Sequence, residues 1–187
     1  MFEVEQKYRV DDALGLITRL TESGWQELSL QQHSDTYYNH PSRDFGETRE
    51  ALRIRRVDGV PMITYKGTKL PGTVKARREM EWRLDPGDAD GQKMEELLVA
   101  LGFRRVATVN KVRRSFENPA SNDMAVVVDE VESVGNYAEI ELVVADTEQV
   151  ESARDRITFL GNTLGLNHAE QRSYLRMQLE SATDQES

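Results

Sequence analysis

The stretch 1-MFEVEQKYRV-10 alternates: Phe2, Val4, Gln6, Tyr8 and Val10 fall on one side of an extended chain, and Glu3, Glu5, Lys7 and Arg9 on the other. A period of two is the mark of a strand with two unlike faces. Here one face is mostly apolar and the other is fully charged, with both signs inside five residues. On a single strand this describes the solvated side of an ordinary sheet. The pattern decides the fold because it recurs. In 74-VKARREMEWRL-84, Lys75, Arg77, Glu79, Glu81 and Arg83 share a face, opposite Val74, Ala76, Met80, Trp82 and Leu84. Arg53 and Arg55 alternate with Leu52 and Ile54, Lys66 closes MITYK, and Lys111 and Arg113 flank Val112. Glu139 and Glu141 alternate with Ala138, Ile140 and Leu142, and Asp129 follows the run AVVV.

Strands are expected at about 1–10, 26–38, 51–57, 60–66, 74–84, 104–117, 124–132 and 136–145. Turn signals such as Asp58-Gly59, Lys69-Leu70-Pro71-Gly72 and Gly135-Asn136 separate several of them. Short connections mean antiparallel pairing, and eight strands suffice to close a barrel. Three amphipathic helices are expected. The first is capped by Asp11 or Asp12 and ends at Gly24; the second follows Asp85-Pro86-Gly87 and ends at Gly102; the third starts near Thr147 and ends at Gly165. Residues 39–50 read as a polar loop. Glu3-x-Glu5-x-Lys7 and Glu79-x-Glu81-x-Arg83 each precede a helix ending in a Gly-aromatic pair, Gly24-Trp25 and Gly102-Phe103, a weak internal repeat. One domain over 1–179 and a polar tail over 180–187 are expected.

The helices need apolar surface to cover, so the apolar strand faces point outward and the charged faces line the barrel. The expected fold is therefore α+β, an eight-stranded antiparallel β-barrel with a charged interior and outer helices. Small barrels usually fill their interior with apolar side chains. Buried charges must be paired, hydrogen-bonded or metal-bound, or their desolvation costs several kcal/mol. The choice is between salt-bridge ladders on an open sheet, common but weak, and a site for a charged ligand. The carboxylates Glu3, Glu5, Glu79, Glu81, Asp129, Glu139 and Glu141, without cysteine or clustered histidine, suit Mg²⁺ or Mn²⁺. The cations Lys7, Arg53, Arg55, Lys66, Lys111 and Arg113 suit phosphate oxygens. Together they describe a polyphosphate site.

Composition sets the outer limits. The chain has 187 residues, 30% charged and 38% hydrophobic, which is globular, and a net charge of −9, which disfavours nucleic-acid binding. The absence of cysteine removes disulfides and thiolate zinc sites. No run approaches the length of a membrane span and the N-terminus lacks an apolar leader, so a cytoplasmic protein without membrane contact is expected.

The same residues carry a family resemblance. Glu3-x-Glu5-x-Lys7 resembles the ExExK signature of the CYTH domain, the triphosphate tunnel metalloenzymes. DTYYNHPSRDFGETREALRIRR, TYKGTKLPG, VVVDEVESVGNYAEIEL and RSYLRM, in that order, resemble the class IV (CyaB-type) adenylyl cyclase branch, and the likeness runs from Glu3 to Met177. The resemblance implies a tunnel holding a triphosphate, ATP above all, and one or two divalent metals. By motif position Glu3, Glu5, Glu139, Glu141 and Asp129 would bind metal, with Glu79 and Glu81 in support. Lys7, Arg53, Arg55, Lys66, Lys111 and Arg113 would hold phosphates, and Arg55, Lys66, Lys111 and Arg113 would act in catalysis. Three activities remain open at this point: a cyclase making cyclic AMP and pyrophosphate, a triphosphatase acting on tripolyphosphate, thiamine triphosphate or a nucleoside triphosphate, and a non-catalytic polyphosphate or nucleotide sensor. The cyclase branch also brings the expectation of a homodimer, which no residue in the sequence itself supports.

Overall fold

The computed structural model describes residues 2–121 and 123–185. The eight expected strands form as β1 (Phe2–Arg9), β2 (Gln26–Asn39), β3 (Ala51–Val57), β4 (Val60–Lys66), β5 (Lys75–Arg83), β6 (Arg104–Glu117), β7 (Met124–Val131) and β8 (Gly135–Val144), with a two-residue β9 (Ala169–Glu170). Around the sheet the order is β5-β4-β3-β2-β6-β7-β8-β1, and β1 closes the ring by pairing with β5. All pairings are antiparallel. The opening strand is thus the closing strand of the barrel. Its Glu3 and Glu5 stand opposite Arg77 and Lys75 on one side, and its Glu5 and Lys7 opposite Glu141 and Glu139 on the other. Antiparallel register puts like faces together, so every charged face turns the same way.

The three expected helices are α1 (Ala13–Glu22), α3 (Gln92–Ala100) and α4 (Val150–Thr163). Asp12 caps α1 by accepting from the Gly15 amide at 2.9 Å. Gly24, Gly102 and Gly165 each take a positive φ just past a helix end, the conformation for which their sequence position was read. Two helices lack a clear signal in the sequence. A single turn, α2 (Phe45–Thr48), sits in the expected loop 39–50, and α5 (Tyr174–Gln185) follows β9. Residues 180–185 of the expected tail continue α5, and 186–187, like Met1 of the expected first strand, lie outside the described residues.

Two apolar cores lie outside the barrel wall. Val4 and Tyr8 of β1, with Val126, Ala138 and Ile140, pack under Leu16 and Leu20 of α1 and Ala153 and Ile157 of α4. Leu52, Ile54 and Ile63 pack under Leu98 of α3 with Phe45. Trp25 is buried in the first of these cores and Phe103 borders the second. A third cluster sits inside the barrel. Tyr37, Val109, Val131 and Tyr137, all on inward faces, meet Tyr174 and Met177 of α5. Helix α5 therefore closes one end of the barrel, while the other helices stiffen its wall. Among the described residues no helix is long and apolar enough to cross a membrane.

Candidate active site

The barrel encloses a cavity of about 1270 Å³ that runs past nearly all the charged faces. Of the residues singled out from the sequence, Glu3, Glu5, Lys7, Arg53, Arg55, Lys66, Glu79, Glu81, Lys111, Arg113, Glu139 and Glu141 line it. Asp129 does not.

On the β1 side, carboxylates converge. Glu3, Glu5 and Glu141 each offer an oxygen such that the three lie within 4.8 Å of one another. Glu5 pairs loosely with Lys75 at 3.7 Å and Arg77 at 3.6 Å, whereas Glu3 accepts from Lys66 at 2.6 Å. Burial pushes the Glu141 carboxyl up to about 8; Arg113 opposes this, and the charges of Glu139, Glu3 and Glu5 add to it. Three crowded carboxylates, one of them resisting ionisation, with no sulfur or imidazole among them, make a donor set that fits a hard divalent cation such as Mg²⁺ or Mn²⁺. Glu79 bonds Lys66 at 2.9 Å and Glu81 accepts from the Thr64 hydroxyl at 2.6 Å. Neither joins the three-carboxylate cluster.

The cations of β3 and β6 are held by buried anions. Asp129 is fully enclosed. It accepts from Arg113 Nε at 2.7 Å and Nη2 at 2.6 Å, from Lys111 Nζ at 3.2 Å and from the Tyr174 hydroxyl at 3.0 Å. Burial works against its ionisation, but Arg113 and Lys111 outweigh that and keep its carboxyl below the usual carboxylate range. The structure thus sets Asp129 behind the cations as their counter-ion, apart from the cluster that could hold a metal. Glu139 stands between the two groups, bonded to Arg113 at 2.7 Å and to Lys7 at 3.5 Å. A second buried anion, Asp35, takes Arg55 through two bonds of 2.7 and 2.8 Å and Arg53 at 3.2 Å. Burial opposes its ionisation; Arg53 and Arg55 overcome this and hold it well below its ordinary value. Each bidentate fork fixes an arginine plane while leaving other N–H groups for the cavity. Lys7 is held by the Arg172 carbonyl at 3.2 Å and lies 3.6 Å above the centre of the Tyr174 ring. Burial lowers its amine, with Glu139 opposing. Burial also brings Lys111 down to about 8, helped by Arg113 against Asp129.

Several participants were not in the expected set. Lys75 and Arg77 line the cavity beside Glu5; their parity with Glu79 and Glu81 was visible in the sequence. Arg83, on the same parity, lies beyond the cavity and pairs with Asp85 in solvent. Tyr174 anchors Asp129 and stacks on Lys7, yet it sits where the sequence has no period to read. His33 is buried behind the cations, and burial together with Arg55, Arg113 and Lys111 pushes its imidazole down to about 3, so it stays neutral.

The CYTH domain profile matches residues 1–174. The chain belongs to the CYTH family. Two relatives resemble the chain over nearly their whole length. The Methanocaldococcus jannaschii protein named "Putative adenylate cyclase MJ0240" is 31% identical over 179 residues, covering 95% of this chain and 98% of its own. Adenylate cyclase CyaB of Aeromonas hydrophila is 30% identical over 190 residues, covering 97% and 91%. The solved structure of PH1819 from Pyrococcus horikoshii superposes with a TM-score of 0.85 at 35% identity, covering 95% of this chain and 98% of that one. The likeness to the class IV branch read from the sequence agrees with these relatives.

Proposed function

We propose that this CYTH protein is a metal-dependent enzyme acting on a triphosphate substrate, and that the substrate is ATP, converted to cyclic AMP and pyrophosphate. The observation that carries this reading is that one cavity is lined both by a three-carboxylate cluster (Glu3, Glu5, Glu141) and by a set of anchored cations (Lys7, Arg53, Arg55, Lys66, Lys111, Arg113), two of which, Lys66 and Arg113, reach the cluster itself. A simple anion sensor needs the cations but not the crowded carboxylates. The cavity volume supports an organic triphosphate over an inorganic one: about 1270 Å³ exceeds the roughly 300–1,000 Å³ of ordinary small-molecule sites. The two curated relatives named adenylate cyclase point the same way.

In this reading Glu3, Glu5 and Glu141 hold Mg²⁺ or Mn²⁺, with Glu139 beside them. Such a cation, when bound, neutralises charge on the phosphate oxygens and lowers the pKa of a coordinated hydroxyl. The protein's own residues supply the rest. Arg53 and Arg55, locked by Asp35, and Lys111 and Arg113, locked by Asp129, present fixed donors to the triphosphate. Preorganised donors of this kind need no rearrangement as charge builds on the phosphoryl group. Lys66 and Lys7 complete the cradle. The ribose 3′-hydroxyl attacks the α-phosphorus and gives up its proton to water, the bond to the bridging oxygen breaks, and pyrophosphate leaves with the electron pair.

Product analysis tests this. Purified protein is incubated with ATP, tripolyphosphate or thiamine triphosphate plus Mg²⁺ or Mn²⁺, and products are resolved by ion-exchange chromatography. Cyclic AMP with equimolar pyrophosphate is expected. Orthophosphate without cyclic AMP would make the protein a triphosphatase on the same scaffold.

A further inference from the structure

Between β4 and β5 the chain crosses one mouth of the cavity as the strap 67-GTKLPGTV-74. Its backbone is tied at its start and its middle, Gly67 N–H to the Arg78 carbonyl at 2.9 Å and Leu70 N–H to the Ala76 carbonyl at 2.8 Å, and Leu70 packs against the outer core. A third tie comes from outside the barrel. Arg154 of α4 is buried, and its guanidinium donates to the Val74 carbonyl at 2.9 Å and the Pro71 carbonyl at 2.7 Å. Gly72 makes room for it. A Cβ at that position would overlap the Arg154 guanidinium, and its φ of +139° is strained for any other residue. Gln171 adds a bond to the Thr73 carbonyl at 2.8 Å.

What this strap carries into the cavity is Lys69. It is half-buried and lines the site. Lys7, Arg53, Arg55, Lys66, Lys75, Arg77, Lys111 and Arg113 each have a carboxylate partner. Lys69 has no ion pair or side-chain hydrogen bond among the described residues. Its charged neighbours are Lys75 and Arg77 of β5 and Lys7 and Glu5 of β1. A half-buried amine facing three cations and one carboxylate is a poor contribution to stability and a good receptor for an incoming polyanion. Consistent with this, burial and then Lys75 and Arg77 pull its amine down to about 8, Glu5 opposing, so its charge is less favoured than that of a free lysine and an arriving anion would stabilise it.

We propose that Lys69 is a further triphosphate-binding residue, and that Arg154 and Gly72 are positioning residues that hold its strap over the cavity from outside the barrel. The inference rests on the reading that the tunnel takes a triphosphate. The test is calorimetric titration with tripolyphosphate in EDTA, which leaves metal-dependent turnover off. A charge-assisted contact of this kind is worth about tenfold or more in affinity, so Lys69→Met weakens binding by about that factor with an unchanged melting temperature. Lys69→Arg retains affinity within a few-fold. Arg154→Met and Gly72→Ala weaken binding in the wild-type background and add nothing in the Lys69→Met background, because they act through the lysine. Unaltered binding by Lys69→Met overturns the assignment. Additive losses in the double variant overturn the positioning role and leave Arg154 a clamp for the fold. Absence of binding by the wild type removes the tunnel reading and this inference with it, an outcome distinct from both.

Discussion

Replacing Asp129 by asparagine separates two roles for a carboxylate of the triphosphate tunnel. If Asp129 holds metal, the change removes a ligand. If it is the buried counter-ion of Lys111 and Arg113, the change removes their anchor. The structure supports the second. The side chain is fully enclosed, four hydrogen bonds from protein groups converge on it, and the three carboxylates that approach one another are Glu3, Glu5 and Glu141. The magnitude follows from what is left behind. Removing one partner of a buried pair costs about 3–5 kcal/mol. Arg113 keeps Glu139 at 2.7 Å, and the amide oxygen of the new asparagine would still accept from the Tyr174 hydroxyl, so the low end applies, about 3 kcal/mol. At roughly 2–4 °C per kcal/mol for a chain of this size, the melting temperature falls by about 6–12 °C. Lys111 loses its one carboxylate partner among the described residues, and its amine, already down to about 8, drops further and sheds charge at neutral pH. Tripolyphosphate affinity then falls by about tenfold, the worth of one charged contact. Mn²⁺ affinity, read by electron paramagnetic resonance of the free ion, stays within a few-fold of wild type. Loss of Mn²⁺ binding with a melting temperature unchanged within ~2 °C, small beside the roughly 6–12 °C drop worked above, would refute the reasoning and restore Asp129 as a metal ligand.

Other expectations follow from the same geometry. On the proposed reading, Glu5→Gln abolishes metal-dependent turnover with the fold intact by circular dichroism, since among the described residues Glu5 makes only long ion pairs, to Lys75 and Arg77; turnover at the wild-type rate would remove Glu5 from the metal cluster. Saturating Mn²⁺, at about 100 times its Kd, stabilises the wild type by about 2.7 kcal/mol but leaves the Glu5→Gln melting curve in place; equal shifts in both would put the ion elsewhere. Arg55→Ala weakens triphosphate binding and also costs about 3 kcal/mol of stability, because Asp35 stays buried with Arg53 as its remaining ion-pair partner; a variant as stable as wild type in urea would contradict the anchoring role. Asp35, Asp129 and Glu139 all have carboxyls lowered from their ordinary values near 4. Their stabilisation is present above those ordinary values and is lost as pH falls through the lower folded values. The melting temperature is therefore insensitive to these groups from pH 8 to 5 and falls steeply below about pH 4, and a decline centred near pH 6 would implicate other groups.

Much of this molecule was legible in its alternation. Charges at every second position of β1, β3, β5, β6 and β8, set against apolar partners and three amphipathic helices, specify a barrel turned charge-side in. The strand limits at Val57, Val60, Lys66, Arg104 and Glu117 match the expected ones because Asp58-Gly59, Gly67, the helix-ending Gly102 and Asn118-Pro119 bracket them. Alternation names the face but not the depth along the tunnel. That is why Asp129 could not be told from Glu141, or Arg83 from Arg77, before the register was known. Helix α5 was missed because Tyr174 and Met177 bury themselves inside the barrel, against Tyr37 and Val109, so its sequence shows no wide apolar stripe of the kind a covering helix needs. The anchoring role of Asp35 was equally hidden. It depends on the β2–β3 pairing that sets Asp35 opposite Arg55, a relation between strands that no single strand reveals.

The most direct test of the central claim is a crystal structure of the protein with Mn²⁺ and a non-reactive ATP analogue bridged by methylene between the α- and β-phosphorus. The account predicts an anomalous Mn²⁺ peak among Glu3, Glu5 and Glu141, with the triphosphate running between Lys66 and the Lys111–Arg113 pair. Mn²⁺ on Asp129 or on the outer surface, with the analogue outside the barrel, would contradict it.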